Sequence, residues 1–141
     1  MASDSHLERF IPVHQQYFAN ALQEIRKGKK TSHWMWYIFP QLEGLGFSEN
    51  SRHYGIKNLD EAKSFLQHPI LGQNLVQITS QLLSLPVSDA LQVFGSPDHM
   101  KLQSSMTLFS AIPGTPGLFD SVLDKFFNGK KDAKTLTLLN K

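Results

Sequence analysis

Apolar residues in this sequence recur at intervals of three and four, which is the spacing of one face of an α-helix. The first such stripe runs from Leu7 to Ile25, and Gly28 follows it as a typical helix terminator. Pro12 interrupts the stripe, so we expect the helix to begin there with the proline in its first turn. No alternating apolar and polar pattern persists long enough to require a β-sheet. The periodicity therefore predicts an all-α protein.

Residues that favour helix ends separate the apolar stripes. Ser5 with Glu8 is typical of a capping box, and Asn58, Ser88 and Asp132 are further predicted N-caps. The remaining predicted boundaries are His68-Pro69, Pro86, Gly95, Ser96-Pro97-Asp98 with Ser96 as the cap, Pro113 to Gly117, and Asn128-Gly129. A length of 141 residues is close to the commonest size of one domain. We predict one compact multihelical domain over residues 1–141.

Composition excludes several classes of protein and site. The chain has no cysteine, so disulfides, zinc–thiolate sites, iron–sulfur clusters and a thiol nucleophile are excluded. The six histidines lack metal-ligand spacing, and no glycine-rich phosphate-binding motif is present, so we predict no metal and no cofactor. A formal net charge of +2 is too small to indicate nucleic-acid binding.

The sequence also predicts where the protein is found. The N-terminal residues 1–6 lack the basic and apolar regions of a secretory signal. No apolar stretch approaches the roughly 18 residues of a membrane span. We therefore expect a soluble, cytoplasmic protein without membrane contact, present as a monomer or a weak homo-oligomer.

Residues 31–58, called here the aromatic loop, show neither helical nor strand periodicity, and we expect a long, ordered loop with one short helical turn. Loops longer than about 12–15 residues in a compact domain are usually functional or disordered, and the many aromatic residues of this one indicate order. Aromatic rings with polar neighbours suit a flat, anionic ligand such as a nucleotide, and the basic cluster 26–30 lies nearby. The same rings could instead fill the core. The candidate ligand-binding residues are His33, Trp34, Trp36, Gln41 and Tyr54.

The helix predicted after Ser96 is the second unusual segment. Asp98, Lys101 and Ser105 lie three or four residues apart and therefore share a face, with Ser104 beside them. We predict that Asp98 and Lys101 are catalytic and that Ser104 and Ser105 bind ligand. We also predict that this face and residues 33–41 line one cleft. The alternative is a seam of small residues for close helix packing, with an Asp98–Lys101 surface ion pair.

These same segments resemble the signature blocks of one family. The blocks are Ser32 to Gln41, Gly44-Leu45-Gly46, Tyr54-Gly55-Ile56, His68 to Gly72, Phe94 to Asp98, and Lys101 to Phe109. They resemble domain of unknown function 1810, some of whose bacterial members are labelled calpastatin. The resemblance covers residues 7–139 and implies a single all-helical domain but no established activity. The calpastatin label gets no support, because that inhibitor is a disordered repeat protein and this chain has no repeats.

The order of features is also similar to that of the NADAR superfamily, whose small helical members act on N-glycosidic bonds of ribosyl and ADP-ribosyl compounds. Residues 132–136 resemble its final Asp-x-x-Thr-Leu element. The leading hypothesis is a small-molecule cleft for a nucleotide or ribosyl phosphate, with N-glycosidic hydrolysis as an extension. The alternative is a non-catalytic module that docks a protein or peptide through the aromatic loop. A concave pocket would favour the ligand, whereas a flat aromatic patch would favour the partner. Whether the protein is an enzyme stays open.

Overall fold

A computed structural model describes residues 7–46, 48–115 and 117–140 of the chain. Within these ranges the regular secondary structure is helical, and one parallel bridge between Leu42 and Ile56 is the only β-type pairing. The all-α prediction is confirmed. The helices are α1 (Ile11–Arg26), α2 (Met35–Ile38), α3 (Glu49–Tyr54), α4 (Leu59–Gln67), α5 (Leu71–Ser84), α6 (Ala90–Phe94), α7 (Asp98–Ser110), α8 (Leu118–Phe127) and α9 (Ala133–Leu139).

Most predicted helix ends agree with the structure. Pro12 lies in the first turn of α1, where its missing N–H is not needed. The side chain of Asn58 caps α4, and that of Asp132 caps α9 by accepting from the Thr135 amide. Asn128 ends α8 in the left-handed conformation, with φ of 56°. The predicted capping box lies outside the described residues, because Ser5 is not among them.

Three local predictions were wrong. The cap of α6 is Asp89 rather than Ser88, since the extended residue next to the helix is Asp89, whose carboxylate accepts from two backbone amides. Ser96 does not cap α7, because Pro97 occupies the N-cap position and no side chain caps the helix there. The aromatic loop contains two short helices, α2 and α3, where one turn was predicted. Neither is long enough to display a period.

Helix α7 lies at the centre of the fold and packs against α4, α6, α8 and α9. Every residue from 104 to 109 is buried, so this helix has neighbours on nearly all sides. Ser104 and Thr107 donate to the carbonyls of Met100 and Gln103, at 3.2 and 2.8 Å. These two hydroxyls are therefore satisfied within their own helix, and the packing seam stays a prediction.

Seven helices contribute to one cluster of buried apolar side chains, and α3 and α9 pack against it. Helix α5 contacts α1, α4 and α8 across this core. Its C-terminal end is bound by Lys125 of α8, whose ammonium donates to the carbonyls of Leu82 and Leu83 at 3.0 Å and of Leu85 at 2.5 Å. A cation at a helix C-terminus is favourable because the exposed carbonyls carry partial negative charge.

Candidate functional site

A buried carboxylate fixes the start of the aromatic loop. Glu24 of α1 is 7% exposed and accepts five hydrogen bonds. Three come from the Thr31 amide at 2.7 Å, the Ser32 amide at 3.0 Å and the Ser32 hydroxyl at 2.7 Å. The others come from the Trp34 indole at 3.0 Å and the Asn20 amide at 2.9 Å. This arrangement joins the loop to α1 and sets the direction in which the chain leaves towards His33.

The same contacts keep Glu24 ionised. Burial by itself would raise the pKa of this carboxyl, but the hydrogen bonds from Ser32, Thr31 and Trp34 outweigh it and lower the pKa to about 2. Trp34 is fully buried and lies near Phe39 and Phe94, with ring centroids 6.1 and 6.4 Å away. Its indole is therefore part of the core and of the loop anchor.

The polypeptide after this anchor turns past a cavity of about 190 Å³, called here the first cavity. It lies between the aromatic loop and the N-terminal turn of α7. His33 and Asn50 are exposed at its wall, whereas Trp36 is only 9% exposed. The lining residues are Lys30, His33, Met35, Trp36, Tyr37, Ser48, Asn50, Asp98 and Lys101.

Two lysines share one carboxylate in the first cavity. Lys30 Nζ lies 2.7 Å from Asp98 Oδ2, and Lys101 Nζ lies 3.3 Å from Asp98 Oδ1. The Lys30 side chain is 5% exposed, and it also donates to the Ser32 carbonyl and lies over the Trp34 ring. The Lys101 side chain is 32% exposed. Lys30 is therefore mainly structural, and Lys101 is the more accessible cation.

Asp98 is held as a carboxylate by this pair. Its burial would raise the pKa of the carboxyl, but hydrogen bonding and charge from Lys30, and then from Lys101, lower it below its usual range. The ion pair between Asp98 and Lys101 was one of the two alternatives for this helix face, and the structure contains it.

A second cavity, of about 340 Å³, adjoins the first and shares Trp36 and Lys101 with it. Gln41 is 3% exposed at its wall, and its amide nitrogen has no hydrogen-bond partner among the described residues. Ser104 also lines this cavity and is 7% exposed. The full lining is Trp36, Gln41, Leu45, Gly46, Pro97, Met100, Lys101, Ser104, Asp132 and Lys134.

The structure thus brings six of the nine sequence-derived site residues to these two cavities. They are His33, Trp36, Gln41, Asp98, Lys101 and Ser104. Trp34, Tyr54 and Ser105 line neither cavity. Tyr54 packs behind Tyr37, with ring centroids 4.9 Å apart, and Ser105 is fully buried with an unpartnered hydroxyl. The sequence spacing could not show which of Ser104 and Ser105 lines a cavity, because both lie within one helical turn of Lys101.

Sequence reasoning missed Glu24, the residue on which the loop geometry depends. A signal was present, since this acid lies among the apolar positions 21, 22 and 25 of the first helical stripe. A carboxylate within a buried stripe needs hydrogen-bond partners, and here the aromatic loop provides them. Ser48, Asn50 and Asp132 were also missed as lining residues.

The described residues include no group of three or more histidine, aspartate and glutamate side chains placed to hold a metal ion. Whether the protein works without a metal or cofactor stays a prediction. Among the described helices, none has the length and apolar character needed to cross a membrane.

Comparisons with known proteins give the family. The family model described as "Protein of unknown function (DUF1810)" matches residues 4–139. The chain belongs to the DUF1810 family. The crystal structure of the conserved hypothetical protein Rv1873 from Mycobacterium tuberculosis is similar to it, with a TM-score of 0.93 and 38% sequence identity over 96% of each chain. No curated protein matches the chain significantly. The resemblance to DUF1810 is confirmed, whereas no comparison shows a relationship to the NADAR superfamily.

Proposed function

We propose that this DUF1810 protein binds a small ligand carrying a phosphate, of the nucleotide or ribosyl-phosphate class, in the first cavity. One observation carries the proposal: the accessible ammonium of Lys101 faces the same cavity as His33 and the indole of Trp36. Lysine is a common partner of phosphate, and an aromatic wall with a few polar groups is typical of small-molecule sites.

The charge of the first cavity supports an anion. Lys30 and Lys101 contribute two positive charges, and Asp98 contributes one negative charge, so the lining is positive overall. Ser48 and Asn50, both exposed at the wall, add side chains that can donate hydrogen bonds to phosphate oxygens. Because Lys30 is 5% exposed and directs two of its three donors to Asp98 and Ser32, the more exposed Lys101 is the group expected to meet the ligand.

The exposures favour a ligand over a docked protein. Trp34, Ile38 and Phe39 are fully buried, and Trp36 is 9% exposed. These side chains therefore do not form a flat apolar patch of the kind that binds a protein partner. What the aromatic loop offers instead is the concave wall of two cavities.

The protonation state of Asp98 argues against a general-acid role for this residue. A general acid must hold a proton near neutral pH, which requires a raised pKa. The pKa of Asp98 is lowered by Lys30 and Lys101, so this carboxyl has no proton to give to a leaving group. The geometry supports a role for Asp98 in positioning Lys101.

Isothermal titration with ribose 5-phosphate tests the proposal, with ribose as the uncharged control. We expect ribose 5-phosphate to bind and ribose to give no heat of binding. Lys101→Ala should weaken binding at least tenfold, which corresponds to the loss of one charged hydrogen bond. Lys63→Ala, a change at an exposed lysine of α4, is the matched control and should leave binding unchanged. Equal affinity for ribose and ribose 5-phosphate would refute the proposal, as would unaltered binding by Lys101→Ala.

A further inference from the structure

Gln41 lines the second cavity and carries a hydrogen-bond donor that no described residue uses. Its side chain is 3% exposed, and its amide nitrogen is buried without a partner. A buried donor left unpaired is unfavourable, and such groups are rare in folded proteins. Because Gln41 lines the second cavity, rotation of its side-chain amide would bring this nitrogen to an acceptor bound there.

Backbone hydrogen bonds hold the segment that carries Gln41. The carbonyl of Gln41 accepts from the Ile56 amide at 2.8 Å, and the Glu43 amide donates to the Ile56 carbonyl at 2.7 Å. These two bonds flank the parallel bridge between Leu42 and Ile56. A side chain held on such a rigid segment loses little freedom when a ligand binds, which favours selective recognition.

The second cavity differs from the first in the chemistry of its walls. Trp36, Leu45, Pro97 and Met100 give it several apolar surfaces, and its volume of about 340 Å³ is within the usual range for ligand pockets. The first cavity is smaller, at about 190 Å³, and is lined by the charges of Lys30, Asp98 and Lys101, while Lys101, Asp132 and Lys134 add charges to the second. Lys101 and Trp36 line both, so one ligand could contact these two residues from either cavity.

We propose that the second cavity is the ring subsite of the phosphate ligand, and that Gln41 selects a planar heterocycle by donating a hydrogen bond to an acceptor on its edge. This inference rests on the proposed function and extends it: the phosphate lies at Lys101 and the ring lies against Trp36. The ligand class is then a nucleoside monophosphate rather than a bare sugar phosphate.

The glycine beside the ring subsite agrees with a close fit around Trp36. A Cβ atom at Gly46 would lie 3.7 Å from the Trp36 ring and 3.1 Å from the Cβ atom of Ser51. The contact with Ser51 would be tight, whereas the distance to the indole is that of ordinary van der Waals packing, so this segment lies directly against Trp36. The indole is thus supported from the side of Gly46 and is available as a wall of the cavity.

Titrations with AMP, GMP, UMP and CMP, each compared with ribose 5-phosphate, test the ring subsite. We expect at least one nucleotide to bind tenfold or more tightly than ribose 5-phosphate. In Gln41→Met, which removes the amide donor but keeps the length of the side chain, this advantage should fall about tenfold. The affinity of Gln41→Met for ribose 5-phosphate should equal that of the wild type, because the phosphate contacts Lys101.

Gln41→Glu provides a second variant, in which an acceptor replaces the donor. We expect it to lose the nucleotide advantage as well, and thermal melting of both variants checks that they are folded. If ribose 5-phosphate binds but no nucleotide binds more tightly, the ring subsite is refuted and the proposed function stands. If neither ribose 5-phosphate nor any nucleotide binds, the proposed function itself fails. Retention of the full nucleotide advantage by both folded variants would overturn the role of Gln41.

Discussion

Replacing Glu24 by glutamine should destabilise the protein strongly, because it removes the charge that holds the aromatic loop. The pKa of Glu24 is lowered from 4.5 to about 2 in the folded protein. Since one pKa unit corresponds to about 1.4 kcal/mol, the ionised carboxylate contributes about 3 kcal/mol to the free energy of unfolding at neutral pH. Glutamine also places an NH₂ group where an oxygen now accepts hydrogen bonds from backbone and side-chain donors. We expect Glu24→Gln to lower the free energy of unfolding by about 3 kcal/mol and Tm by about 10 °C.

The pH dependence of this effect has a definite sign. Because the folded pKa of Glu24 is the lower one, its stabilisation is fully present above the unfolded value of 4.5 and is lost as the pH falls towards about 2. Urea unfolding of the wild type and of Glu24→Gln, measured across this interval, gives the difference in free energy at each pH. Taking the difference between the two proteins removes the contribution of the other carboxyl groups.

The control is Glu43→Gln, which changes an exposed carboxylate of the aromatic loop. It should alter the free energy of unfolding by less than about 0.5 kcal/mol. The reasoning is refuted if Glu24→Gln costs no more than this control at neutral pH. It is also refuted if the difference between wild type and Glu24→Gln stays constant down to a pH of about 2.

Three further outcomes are expected from buried contacts elsewhere in the fold. Gly72→Ala should lower the free energy of unfolding by about 3 kcal/mol, because the new Cβ would lie 1.8 Å from a backbone oxygen at the end of α4. Gly117→Ala is the control: it has open space around it and should be nearly neutral in the same urea unfolding experiment. Lys125→Met should cost about 2 kcal/mol by removing three charged hydrogen bonds to α5, and a cost no larger than that of Lys63→Met would contradict this account. Burial lowers the pKa of His14, so its ring NMR signals should titrate with a midpoint below the ordinary histidine value of 6.5, and a midpoint at or above 6.5 would contradict this account.

The long helices could be predicted from the sequence because their signals, apolar spacing and capping residues, are local. Stripes at intervals of three and four identify the long helices, and caps such as Asn58 and Asp132 act through their own neighbours two or three residues away. The short helices α2 and α3 were not separately predicted, since four and six residues do not establish a period. Their position depends on distant contacts, including the bonds from Glu24 to residues 31–34.

Part of the candidate site could also be predicted, where it depends on residues close together in the sequence. The spacing of Asp98 and Lys101 is local, so their pairing could be expected from the sequence. Lys30 reaches the same carboxylate across 68 positions of the chain, and no local pattern shows which of two adjacent lysines does so. Trp34 and Trp36 are both aromatic residues of one loop, yet only Trp36 reaches the cavities. Which of two neighbouring residues reaches the site depends on tertiary packing, which local sequence patterns do not show.

The most direct measurement of the central claim is an NMR titration of the two tryptophan indole signals with ribose 5-phosphate. Trp36 lines the first cavity, whereas the Trp34 indole is buried and bonded to Glu24, so the second signal serves as an internal control. The spectra of Trp34→Phe and Trp36→Phe assign the two signals. Binding in the first cavity predicts that the Trp36 signal shifts and saturates while the Trp34 signal moves much less, and that Lys101→Ala abolishes the shift. Saturable binding that leaves the Trp36 signal unmoved would place the ligand elsewhere and contradict the account.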